Sequence, residues 1–177
     1  EPTSDFSFAS RSDDRFEAVN VYFHVDSILR YLNVTLGLDV GPTAYATGVL
    51  YDPRGLSGQD NSHYLSGPER LAFGEGGVDD AEDADVVVHE LGHGIHDWVT
   101  NNSLSQVEGL SEGLGDYWAV SWLRSFGHWQ PGDPQYNWVF GWDGHNPFWS
   151  GRVTTWNDNH HYPEGLVGQI HTDGQFW

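Results

Sequence analysis

Apolar residues stand at Val21, Val25, Ile28 and Leu32, in steps of three and four along the first third of the chain. That is the spacing of one helix face. With Ser12 as a candidate N-cap and Gly37 as a stop, it predicts a helix through "DDRFEAVNVYFHVDSILRYLNVTLGL". Residues 1–11 ahead of it are polar and read as an extended arm. "ATGVLYDPRG" predicts a short strand and a turn. "NSHYLSGPERLAFGEGG" predicts two short strands joined at Gly67-Pro68. The acidic loop "VDDAEDAD" then leads into an apolar run and a helix rich in histidine, "VVVHELGHGIHDW". A second helix is expected from about Gln106 to Phe126. Residues 127–163 are rich in Gly, Pro, Trp, Asn and Asp and read as irregular; a loop of that length is usually functional or pinned by something. From Glu164, "EGLVGQIHTDGQFW" reads as the start of a further helix. The pattern is α+β, with no internal repeat.

Composition narrows the class. The chain has 177 residues, enough for one domain with a real core, and 38% of them are apolar. No apolar run approaches the ~20 residues that span a bilayer. Seven arginines face 26 acids, for a net charge of −19, and there is no lysine. Such a polyanion is not expected to bind nucleic acid or anionic membrane. There is no cysteine, so disulfides and thiolate metal ligands are excluded. The chain starts at Glu1 without a signal peptide, as a processed, secreted protein or a trimmed one would.

The chemistry concentrates in "HELGH", His89 to His93. Residues four apart lie one above the other on a helix, so His89 and His93 can offer imidazoles to one ion. This is the H-E-x-x-H pattern of zinc peptidases, and zinc suits neutral imidazole while leaving room for a carboxylate and a water. Glu90 is turned by about a hundred degrees from His89. It cannot easily be a third ligand but can act as a general base. "SEGLGD" supplies a third ligand, Glu112, with Asp116 one turn further on to hold the outer N–H of a zinc histidine. His96 shares the face of His89 and His93 and is expected to form hydrogen bonds behind the metal. A longer zinc pattern with glycine at 96 and histidine at 99 fails, because His96 and Val99 stand there.

H-E-x-x-H followed by E-x-x-x-D resembles the gluzincin metallopeptidases of the thermolysin and fungalysin type. The resemblance covers, in patches, most of residues 13–177. "FEAVNVYFHVDSILRYL" resembles the helix that opens that family's catalytic domain, and "NSHYLSGPERLAFGEGG" is similar to its edge strand. The resemblance implies a zincin-like fold and a secreted zinc endopeptidase. On it, Asn61, Ser62 and His63 would hold an extended peptide by strand addition. His171, in "GQIHTDGQFW", would donate to the oxyanion of the tetrahedral intermediate, and Arg152 would hold a substrate carbonyl. Residues 12–101 would form the sheet and active-site helix, and residues 102–177 the start of a helical lobe within one domain.

Departures from the family leave alternatives open. The tyrosine expected between His93 and Glu112 is missing, and Glu164 and Asp173 are the candidates for orienting His171. Asp79, Asp80, Glu82, Asp83 and Asp85 could build a calcium site, or could be an acidic cap on the helix. The family normally continues into a second lobe, so a further chain or subunit could complete this one. The competing reading is a non-catalytic zinc-binding module, a peptidase-like structural or interaction subunit. A zinc hydrolase acting on something other than peptide is a third. The tryptophans between Trp118 and Trp156 could line a groove or pin the irregular loop.

Overall fold

Helix α1, Phe16–Arg30, forms where the apolar spacing predicts it and buries Val21, Val25 and Ile28. A single wide turn, Tyr31–Thr35, extends it and buries Leu32. The helix then stops at Gly37, whose φ of +69° few other residues adopt without strain. The computed structural model describes residues 10, 11, 13, 15–45 and 48–177. Most of the expected arm, and Ser12 as N-cap, lie outside the described residues.

Three short strands follow: β1, Leu50–Asp52, β2, His63–Leu65, and β3, Arg70–Ala72. The order is β1-β3-β2, with β1 parallel and β2 antiparallel to the central β3. The expected mixed sheet is therefore present, and β2 is an edge. Behind it lies α2, Ala84–Val99, and α3, Leu110–Ser125, packs on α2. Asp83 caps α2 by accepting the Asp85 amide at 2.7 Å. Every residue of α2 from Asp85 to Trp98 is buried, and a helix hidden all round must be apolar all round except where polar groups find partners. The two helices cross where each carries glycine: a Cβ at Gly92 would stand 2.9 Å from the Gly115 Cα. The core joins α1, α2, α3 and β3 through Ile28, Leu71, Val87, Val88, Leu91 and Ala119.

The long segment after α3 is pinned rather than loose. Strands β4, Trp138–Val139, and β5, Arg152–Val153, pair in antiparallel fashion. Trp138 stacks on His145, and Trp149 packs on Phe140. The last expected helix is far shorter than its sequence suggests. It comprises only α4, Ile170–Asp173, and one tight turn, Gly174–Phe176. Residues 167 and 168 are held instead by Asp173, whose carboxylate accepts both backbone amides at 2.7 and 2.8 Å. Phe176 packs against Trp156 and Tyr162 of the same chain, and Trp177 is half exposed. Among the described residues, no helix is long and apolar enough to cross a membrane.

One core group makes the fold sensitive to acid. His24 of α1 is buried, and its Nδ1 accepts the Trp122 indole N–H from α3 at 2.9 Å. Burial lowers its pKa to about 4. Below its ordinary value of about 6.5 the unfolded chain takes up a proton that the folded chain refuses. Stability present above pH 6.5 is therefore lost as pH falls towards 4, by about 3 kcal/mol from this group alone. Urea unfolding at pH 7 and pH 4.5 should show the loss in the parent and a smaller one in His24→Gln. Equal losses in the two proteins would refute the assignment.

Candidate metal centre

Helix α2 brings His89 and His93 together, with ring centroids 4.7 Å apart. Helix α3 lays Glu112 against both. Its Oε2 is 3.1 Å from His89 Nε2 and 3.6 Å from His93 Nε2. All three residues are at least nine-tenths buried. The outer nitrogens are also spoken for. His89 Nδ1 meets Asp116 Oδ1 at 2.9 Å, and His93 Nδ1 meets the Ser111 hydroxyl at 2.7 Å. Both inner nitrogens are thereby turned towards one point. Asp116 is in turn gripped by Arg152, through Nε at 3.0 Å and Nη2 at 2.7 Å. The other oxygen of Glu112 accepts from Gln106 at 2.8 Å.

The donor set suits a metal. Two ligand atoms on a tetrahedral zinc, each about 2.0–2.1 Å from the ion, lie about 3.3–3.4 Å apart. The 3.1 and 3.6 Å separations at Glu112 bracket that spacing. His89, Glu90 and His93 also offer atoms within 4.8 Å of one another. Glu90 Oε2, however, accepts the Tyr64 amide of the edge strand at 2.7 Å. Glu112, in contact with both Nε2 atoms, is therefore the better third donor.

The electrostatics follow from this crowding. Burial resists charge on His89, but hydrogen bonds to Asp116 and Glu112 raise its pKa to about 9. Burial likewise opposes ionisation of Glu112, yet His171, His89 and His93 hold its carboxyl well below the usual range. Asp116 ends near 2, because His89 and Arg152 outweigh its burial.

His171 also reaches the cleft, on α4. Its Nδ1 stands 3.0 Å from Glu112 Oε2 with the side chain 49% exposed, at the mouth of the site. Two glycines of the facing segment make this approach possible. A Cβ at Gly109 would meet the Ile170 carbonyl oxygen at 1.9 Å, and one at Gly113 would meet that of Gly174 at 2.0 Å. Gly115 does the same for His89, whose Nδ1 would be 2.7 Å from an added Cβ.

The other expected residues are arranged differently from the sequence reading. Arg152 joins the site through Asp116, with its guanidinium 4.5 Å above the Phe140 ring. Ser62 turns its hydroxyl inward to Asp80 Oδ2 at 2.6 Å, while Asn61 is exposed. His96 is buried, but its Nδ1 has no hydrogen-bond partner. Of the two candidates for orienting His171, Asp173 instead caps the backbone of residues 167 and 168. The expected calcium acids Asp79, Asp80 and Asp85 do not form one group among the described residues. Asp79 caps the turn at Ala81, and Asp85 accepts the Gly141 amide at 3.0 Å. Asp80 gathers instead with Asp60 and Asp143.

Ser111, Gln106, Tyr64, Asp60 and Asp143 were not singled out by sequence. Ser111 had one available signal, its place directly before Glu112. Gln106 lies six residues before Glu112, and the others are brought in by long-range folding.

No protein-family model, curated protein or solved structure significantly matches the chain.

Proposed function

We propose that the chain is a zincin-like, secreted zinc endopeptidase that cleaves peptide bonds. The observation that carries this reading is the meeting of Glu112 Oε2 with both His89 Nε2 and His93 Nε2, while Asp116 and Ser111 secure the outer nitrogens. His89, His93 and Glu112 are the proposed zinc ligands. Zinc bound there supplies a Lewis acid that acidifies water and polarises a carbonyl. Glu90 is the proposed general base. It takes a proton from the attacking water and returns it to the leaving amine. His171, at the mouth, is the proposed donor to the developing oxyanion. Substrate would lie extended along the β2 edge beside Glu90. The charge of −19 weighs against nucleic acid or anionic membrane as a partner.

One contact favours the competing reading, a non-catalytic zinc-binding module. Glu90 bonds the Tyr64 amide, a brace between α2 and β2 that a structural role would also use. Purified protein should carry about one zinc per chain. It should hydrolyse casein, lose that activity to a zinc chelator and regain it with added zinc. Stoichiometric zinc without hydrolysis would select the module, and protein that takes up no zinc would defeat both readings.

A further inference from the structure

A second polar cluster lies apart from the histidines. Asp60, Asp80 and Asp143 each place a carboxylate oxygen within 4.8 Å of the other two. They come from three segments distant in sequence: the turn before β2, the loop before α2, and the loop after β4. Asp80 is 2% exposed and Asp143 6%. In both, Oδ1 is buried without any hydrogen-bond partner. An unpaired buried carboxylate oxygen is costly, and two in one cluster of three acids call for a cation.

The surroundings hold these acids in place. Asp83 accepts the amides of Trp142 and Asp143 at 2.9 and 2.7 Å, which fixes the loop that carries Asp143. Ser62 donates to Asp80 at 2.6 Å, so that the segment entering β2 is tied to the same point. Gly77, at φ +66°, makes room for Asp60, since a Cβ there would stand 2.8 Å from Asp60 Oδ1.

We propose that Asp60, Asp80 and Asp143 bind a calcium-class cation that clamps the start of β2 to the loops before α2 and after β4. Three carboxylates and no nitrogen or sulfur donor make a hard-cation site, unlike the imidazole pair of the metal centre. Oxygens within 4.8 Å of one another fit around one calcium at about 2.3–2.6 Å. The clamp would hold the edge strand in register with Glu90, because Tyr64 lies two residues beyond Ser62.

The test uses zinc-loaded protein in calcium-free buffer. Added Ca²⁺ should raise Tm progressively, by about 5–10 °C at a hundredfold excess over Kd. Tb³⁺ should bind with emission excited through nearby tryptophan, and Ca²⁺ should displace it. Asp60→Asn and Asp143→Asn should each weaken binding at least about tenfold. Asp60 is exposed, so its substitution should leave the fold intact. His93→Ala should keep the calcium response. The proposal is overturned if Ca²⁺ neither raises Tm nor displaces Tb³⁺. It is equally overturned if the two Asn variants titrate like the parent, or if His93→Ala abolishes the response.

Discussion

Glu90→Gln should retain zinc and the fold yet lose peptide hydrolysis by about 10²–10⁴-fold, the range for removing a positioned general base. The substitution keeps the size of the side chain and one carbonyl oxygen. The Tyr64 amide therefore keeps an acceptor, and the brace between β2 and α2 that now measures 2.7 Å can persist. What is lost is the ability to take up a proton. A structural Glu90 would leave hydrolysis unchanged, so casein cleavage at the parent rate would remove the peptidase mechanism. Tm and zinc content, measured alongside, show whether any loss arises from unfolding or metal loss instead.

The second large effect concerns the proposed zinc ligands. His93→Ala should leave less than stoichiometric zinc in purified protein, and no hydrolysis. Ser111→Ala should weaken zinc affinity about 10–100-fold, because a hydrogen bond behind a ligand imidazole commonly contributes that much. Ser111 touches His93 Nδ1 at 2.7 Å and is fully buried. Removing its hydroxyl leaves the ring free to rotate and its outer nitrogen unsatisfied. The graded result is informative. If both variants bound zinc as tightly as the parent, the ion would not be held at this centre. If Ser111→Ala alone were neutral, His93 would be oriented by packing with His89 rather than by the hydroxyl.

The sequence carried the helices and the two-stranded turn around Gly67-Pro68 because these are governed by local rules. Val21, Val25, Ile28 and Leu32 form a stripe at the helical period, and all four are buried. His89 and His93 meet because four residues make about one turn, whatever surrounds them. The last helix is shorter than its pattern predicts for an equally local reason. "EGLVGQIHTDGQFW" has helical spacing, but Asp173 captures the amides of residues 167 and 168 and so fixes a turn ahead of α4. Tertiary position overrode the pattern there.

The centre divides in the same way. Sequence alone determined an imidazole pair on one helix and the likeness of Glu112 and Asp116 to the acids such a pair requires. Only the tertiary structure decided that Glu112 touches both imidazoles, that Asp116 takes His89 and Ser111 takes His93, and that Arg152 grips Asp116. It also decided that Asp80 joins Asp60 and Asp143 rather than its neighbours Asp79 and Asp85. The physical reason is range. Helical period and capping act over a few residues and can be read along the chain. Which carboxylate meets which imidazole depends on how two helices cross at Gly92 and Gly115, a property of packing that no local spacing encodes.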